Sequence, residues 1–410
     1  MGAPAARAGE LSRHWARMGH EVTVLTGFPN HPTGVVPKEW RERFHQLRCS
    51  EIVEGVRVER TWLWPLPNRK AHERIRSYTS FCVSAGFSGL DLPTPDVVIA
   101  SSPQLLCALA GWWIAWWKHV PFVFEVRDLW PESLAAVGAG GEGTLLHRTL
   151  GAIAEFLYQR AERIVVVTPA FKEHLVTHWG VAAEKIEIVP NGVETELFRP
   201  DAAAAEEIRK QFGFEKHFLI CYIGTMGMAH GLETLIAAAE ELQTTLPEAR
   251  FVLIGEGAEK QHIMGLAAER HLANVQFLGQ QPRESIPAFV SAADLCLVLL
   301  RGADLFKTVI PTKLLEYMAC GRPVVVGVDG QSRQIVEEAG AGVFVEPENS
   351  PMLASAICEL AGEPTQRRQM GANGRRYIVE RLARESTARD YVEVLNGLQN
   401  SFRKRRGIDA

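Results

Sequence analysis

The sequence has no Asp-x-Asp motif, no Cys-x-x-Cys pair, and no His/carboxylate group recognised at metal-ligand spacing. The first absence removes the commonest carboxylate pair for a divalent cation, and the others argue against zinc-type centres. It also lacks a surplus of charge. Lys and Arg number 44 against 48 Asp and Glu, a net −4, so no basic excess recruits nucleic acid. Seven cysteines are widely spaced and odd in number, which fits a reducing cytoplasm better than a disulfide framework. The longest apolar run, Leu105 to Trp117, is 13 residues, short of the roughly 20 that span a bilayer. No secretory leader is expected. That run holds Trp112, Trp113, Trp116 and Trp117 in pairs four apart. A buried crossover helix is the preferred reading, with insertion into a membrane surface as the alternative.

What is present suffices for two packed domains: 410 residues, 47% hydrophobic and 22% charged. Short β-rich runs alternate with helical stretches throughout, the pattern of parallel α/β layers. In the first half the expected strands are Glu21–Thr26, Val56–Trp62, Asp96–Ser101, Pro121–Val126, Arg163–Thr168 and Ile186–Val189. A second series, His217–Ile223, Phe251–Ile254, Val275–Leu278, Leu295–Leu300, Pro323–Val328 and Gly342–Val345, begins after a polar, Ala-rich stretch from Asp201 to Lys216 that reads as a connection. The division follows: an N-terminal domain over 1–195, a C-terminal domain over 196–382, a helix over 383–400 and a basic tail over 401–410. A doubly wound domain opens with a strand, whereas this chain begins with the helix Ala3–Met18, so a first strand is expected to be missing.

The segment Phe306 to Val326 carries the most chemistry. Pro311 and Thr312 suit a helix start, and Gly321-Arg322-Pro323 ends the helix before a buried strand. Lys313 and Glu316, three apart, share a face. A lysine at a helix N-terminus favours phosphate, and a carboxylate nearby accepts from ribose hydroxyls. Alone, the two also fit a surface ion pair. The whole segment resembles the donor-binding segment of retaining GT-B glycosyltransferases, especially glycosyltransferase family 4. Glu316 matches the second of that family's two glutamates, the one that binds the donor ribose. Thr308 stands where the first, which contacts the donor sugar, is found. This variant resembles the O-antigen and capsule subgroup that includes N-acetyl-L-fucosamine transferases.

Other segments follow the same order as in that family. Tyr222-Ile-Gly-Thr-Met-Gly-Met-Ala-His-Gly follows a strand and opens a helix, where backbone amides can cradle a pyrophosphate. Its candidates are Gly224, Thr225, Gly227 and His230. Gly255 and Gly257 lie after the next strand, and Gly279 and Arg283 follow Val275-Gln-Phe-Leu. Each is also explicable as turn geometry. In the first half, Arg127-Asp128 directly follows a hydrophobic strand, and the resemblance makes Asp128 and Arg127 the catalytic candidates. Gly2 and His31 are the acceptor-side candidates.

The resemblance implies two Rossmann-like domains in a GT-B fold and transfer of a sugar from a UDP-sugar, with retention, to a lipid-linked glycan in surface polysaccharide synthesis. The sugar expected is an N-acetylated or deoxy hexose. No cofactor and no metal are expected, the UDP-sugar being a co-substrate. Peripheral contact with anionic membrane is expected through the tail Phe402-Arg-Lys-Arg-Arg or the basic run from Arg69 to Arg76. The rival readings are a UDP-N-acetylglucosamine 2-epimerase-like isomerase and an inactive nucleotide-binding remnant.

Overall fold

A computed structural model describes residues 3–30, 34–67, 71–102, 104–133 and 144–406. The chain divides into two compact units, one of Pro4–Pro190 with Thr387 onward, the other of Asn191–Ser386.

The second unit is built on one parallel sheet. Its strands are β8 (Phe218–Ile223), β9 (Ala249–Ile254), β10 (Val275–Leu278), β11 (Leu295–Leu299), β12 (Val324–Gly327) and β13 (Gly342–Phe344), in the order β10-β9-β8-β11-β12-β13. Nearly every strand residue is hydrophobic because helices cover both faces. Cys221, Ile223, Cys296, Val298, Val324 and Val326 enter one core. Ile220, Tyr222, Leu295, Leu297, Leu299 and Val325 enter the other. The chain runs outward from β8 on one side and from β11 on the other. The order therefore reverses between β8 and β11, and open α/β sheets bind ligands at the carboxyl ends of strands at such a point.

The stretch expected as a connection contains the helix Ala202–Phe212. Asp201 caps it by accepting from the Ala204 amide at 2.9 Å, and Gly213 ends it at φ 71°. Ala205 and Ile208 join the core that holds Phe214 and Phe289, so two apolar positions suffice to fix an otherwise polar helix.

The first unit has two sheets among its described residues. One joins β1 (Thr23–Gly27), β3 (Val56–Thr61) and β2 (Arg48–Val53) in the order β1-β3-β2. The other joins β4 (Val98–Ser101), β5 (Phe122–Val126), β6 (Arg163–Val166) and β7 (Ile186–Ile188) in sequence order. The antiparallel β2 was not expected. It pairs with β3 across Glu54-Gly55, both at positive φ (49° and 84°), as a primed two-residue turn requires. Residues of the helix Arg384–Arg406 return to this unit: Trp15 Nε1 donates to the Ala388 carbonyl at 3.0 Å, and the Trp15 and Tyr391 rings meet edge to face at 5.2 Å. Among the described residues, no helix is long and apolar enough to cross a membrane.

Candidate functional site

In the Asn191–Ser386 unit, two glycine turns meet at the ends of β8 and β9. A Cβ on Gly255 would lie 2.0 Å from the Gly224 carbonyl oxygen, and one on Gly257 would lie 2.1 Å from that of Met226. Only glycine permits backbone this close to backbone. The Gly224 amide donates to the Ile254 carbonyl and the Met226 amide to that of Glu256, both at 2.9 Å. This corrects one expectation, because those two amides hold the turns together and cannot cradle a phosphate. The amides of Thr225 and Gly227 make no such bond.

The helix Thr312–Ala319 is fastened beside these turns by Tyr317. Its hydroxyl accepts from the Ile223 amide at 2.8 Å and donates to the Ile223 carbonyl at 3.0 Å. One turn earlier, Lys313 is carried against Gly224, where a Cβ would lie 2.8 Å from Lys313 Nζ. Gly224 itself has φ 146°.

Lys313 Nζ is buried and makes no hydrogen bond. It lies over the Tyr222 ring, 3.8 Å from the centroid, a cation–π contact that recovers part of the lost hydration. Burial lowers its pKa to about 7, against a smaller opposing effect of Glu316. His230 is half-buried, but its Nδ1 is shielded from solvent and unpartnered. Burial first, then the charge of Lys313, drives its pKa down to about 3, while its ring bonds to the backbone of Leu299. His230 is therefore neutral at working pH, and Lys313 is the cation that an anion here would meet.

Glu316 is held by Arg283, whose Nη1 donates to its Oε1 at 3.2 Å. The Arg283 guanidinium also sits 5.1 Å over the Phe198 ring. Gly279 lies next to the β9 turn, where a Cβ would stand 3.6 Å from Glu256 Oε1. Thr312 is the first residue of the helix. Thr308 turns its hydroxyl back onto the Leu305 carbonyl at 2.6 Å.

Two residues not singled out from the sequence hold this site in shape. Tyr317 is one; its place four residues after Lys313 was the available signal. Arg301, at the end of β11, is the other. It donates to the Met228 carbonyl (2.6 Å), Glu233 (2.8 Å) and Glu348 (3.2 Å). Contrary to expectation, one trio does bring possible ligand atoms together among the described residues: Glu233, Glu259 and His262, within 4.8 Å. Glu259 and His262 are one helical turn apart, a spacing overlooked in the sequence. Arg301 already pairs with Glu233 there.

In the first unit, Arg127 and Asp128 follow β5. Both of their amides donate to Ser102 Oγ, at 2.7 and 3.2 Å. Burial raises the Asp128 carboxyl above its ordinary value, against the opposing pull of Arg127 and Ser133. Just before them, buried Glu125 accepts from Arg7 Nε at 2.9 Å. Arg7 also donates to the carbonyls of Pro190 and Val189. Burial alone would raise Glu125, but Arg7, Arg127 and a bond from Ser101 outweigh it and hold the carboxyl low. Gly2 and His31 lie outside the described residues, as do Arg69 and Lys70.

The family "Glycosyl transferases group 1" matches residues 204–377, and "Glycosyl transferase 4-like domain" matches residues 2–192. Among curated relatives, the colanic acid biosynthesis glycosyl transferase WcaI of Escherichia coli (strain K12) is 26% identical over 401 residues, 95% of each chain. A GDP-mannose-dependent alpha-(1-6)-phosphatidylinositol monomannoside mannosyltransferase of Mycobacterium tuberculosis (strain CDC 1551 / Oshkosh) is 26% identical over 388 residues, 93% of each chain. Among solved structures, the sucrose-phosphate synthase of Thermosynechococcus elongatus superposes with a TM-score of 0.78 at 21% identity. That match covers 98% of this chain and 94% of the other. Both halves thus have the Rossmann-like architecture of GT-B glycosyltransferases.

Proposed function

Since its C-terminal half matches the glycosyl transferases group 1 model and its N-terminal half the glycosyl transferase 4-like model, we propose that the chain is a glycosyltransferase that moves a sugar from a UDP-sugar, with retention, to a lipid-linked glycan in surface polysaccharide synthesis. The observation that carries this reading is the buried Lys313 Nζ, which makes no hydrogen bond within the protein and lies beside the Gly224 turn, where the sheet order reverses. A diphosphate is the anion that suits it. The bond between the sugar's anomeric carbon and the diphosphate oxygen breaks, and charge grows on the leaving diphosphate. Lys313, the amides of Thr225 and Gly227 and the N-terminal end of the Thr312–Ala319 helix would meet that charge. Metal independence belongs to the same proposal.

Glu316 would take the ribose hydroxyls, giving up part of its bond to Arg283, and Gly279 would let the base approach. Asp128 would orient the acceptor hydroxyl and receive its proton, with Arg127 beside it. The WcaI relative supports a polysaccharide acceptor. The mannosyltransferase, being GDP-mannose-dependent, makes GDP-sugars the comparison arm of any donor screen. An N-acetylated or deoxy hexose is the sugar proposed.

The test is a screen of UDP- and GDP-sugars with a polyprenyl-linked glycan, in excess EDTA, read by mass spectrometry. A gain of one sugar mass from a UDP-sugar is expected. Turnover with GDP-sugars only would overturn the choice of base. Conversion of donor without acceptor would replace transfer by isomerisation. Loss of transfer in EDTA with rescue by manganese would overturn metal independence.

A further inference from the structure

The helix Leu105–Lys118 holds four of the chain's ten tryptophans and no acidic residue. One side is buried through Leu105, Ala108, Ile114 and Ala115, as a crossover helix requires. The other side is not covered: Trp116 is 53% and Trp117 55% exposed. The preferred reading from sequence, a buried helix, therefore holds for only one of its faces.

These rings do not stand alone. Trp113 lies 5.4 Å from Trp116 and 6.0 Å from Trp117, and a Cβ on Gly86 would lie 3.4 Å from the Trp113 ring. That contact joins the helix Ala71–Leu90, whose Ile75, Val83 and Phe87 recur at multiples of four residues and are 49%, 54% and 68% exposed. On the other side Trp112 meets Phe156 of the helix Leu145–Arg160 at 4.7 Å. Leu145, three turns before Phe156 and so on the same side, is 82% exposed. One aromatic and aliphatic surface thus runs over three helices.

Its rim is basic. The three helices carry Arg74, Arg76, Lys118, Arg148 and Arg160 against Glu73 and Glu155. Arg76 reaches over the half-exposed Trp64 ring and Arg160 over that of Phe156. Tryptophan above aliphatic side chains, rimmed by arginine, suits the boundary between headgroups and acyl chains. A second copy of the same face would bring like charges together.

We propose that this face docks on an anionic lipid bilayer, with Trp116, Trp117 and Phe87 at the depth of the acyl boundary and Arg76, Arg148 and Arg160 among the headgroups. Of the two membrane contacts expected from the sequence, it takes Arg76 of the run from Arg69 to Arg76 in place of the C-terminal tail, and adds the tryptophan face. It draws its purpose from the lipid-linked acceptor proposed above, but its physical basis is independent of the transfer reaction.

The experiment is vesicle flotation of the full chain with phosphatidylcholine alone and with phosphatidylcholine mixed with phosphatidylglycerol. The wild type is expected to float with the mixed vesicles. A Trp116→Ser/Trp117→Ser variant and an Arg76→Glu/Arg148→Glu variant should each lose at least tenfold in partitioning, with melting temperature and UDP affinity unchanged. Equal flotation of the tryptophan variant would overturn the proposal, as would a wild type that ignores anionic vesicles. So would a wild-type dimer that the tryptophan substitutions turn into monomer. Failure of the transferase reading would show separately, as absent UDP binding in a protein that still floats.

Discussion

Each unit buries a strong base near the end of a parallel strand, but the two bases are treated differently. Every nitrogen of Arg7 is engaged: Nε donates to Glu125, Nη1 to the Pro190 carbonyl and Nη2 to that of Val189. Lys313 has an aromatic face and no hydrogen bond. A buried charge with every nitrogen hydrogen-bonded is committed to the fold, and removing its partner is costly. A buried charge left without an anion costs stability in the free protein and recovers that cost when an anion arrives. The first arrangement holds a domain together; the second is suited to a ligand.

The largest effect expected from this contrast is on stability. Arg7→Met should destabilise the first unit by about 3–5 kcal/mol, because Glu125 then stays buried without its partner. Urea unfolding followed by tryptophan fluorescence measures it. The pH dependence has a definite sign. The Glu125 carboxyl is held low in the folded state, so its contribution is present at neutral pH and is lost as pH falls below the ordinary 4.5. Lys313→Met should do the opposite, leaving stability unchanged or higher. If it destabilises the protein as Arg7→Met does, the contrast fails.

The second effect is on binding. Lys313→Met should weaken UDP by about 1.5–3 kcal/mol, the range for hydrogen bonds to charged groups, and Glu316→Ala by a similar amount through the ribose. Arg7→Met should leave UDP affinity unchanged wherever the protein remains folded. Calorimetric titration of the three variants separates these outcomes. Unchanged affinity in Glu316→Ala would remove the ribose assignment. The smallest effect concerns the support of the turn. Tyr222→Phe loses the hydroxyl's 2.7 Å bond to the Thr225 carbonyl but keeps the ring under Lys313. It should weaken UDP by only about 1 kcal/mol. A loss as large as that of Lys313→Met would mean that the turn, and not the cation, governs binding.

The sequence disclosed the parts of this contrast that are local. Lys313, Glu316 and the Gly321-Arg322-Pro323 stop are contiguous, and β10 was expected with the bounds observed, Val275–Leu278. Strands buried on both faces announce themselves as apolar runs, so the Asn191–Ser386 unit was clear strand by strand. The pair Arg7 and Glu125 was not, because 118 residues separate them and nothing local marks either as the other's partner. The helix Ala202–Phe212 was missed because its apolar content is mostly alanine, and the hairpin of β2 because Glu54-Gly55 is an uncommon form of a primed turn. The exposure of Trp116 and Trp117 depends on which neighbours cover the helix, and periodicity does not contain that information. The engaged amides of Gly224 and Met226 were likewise invisible, since a glycine-rich turn looks the same whether its donors face a ligand or another turn.

The most direct measurement of the central claim counts protons. Burial sets Lys313 near pH 7 in the free protein, and a bound diphosphate would raise that value. At pH 8, UDP binding should therefore take up close to one proton, seen as a difference in binding enthalpy between buffers of unlike ionisation enthalpy. Affinity should fall as pH rises above about 7, and both effects should vanish in Lys313→Met. UDP binding without proton uptake and with affinity flat from pH 7 to about 9, or the same uptake in Lys313→Met, would contradict the assignment of Lys313 as the cation that receives the diphosphate.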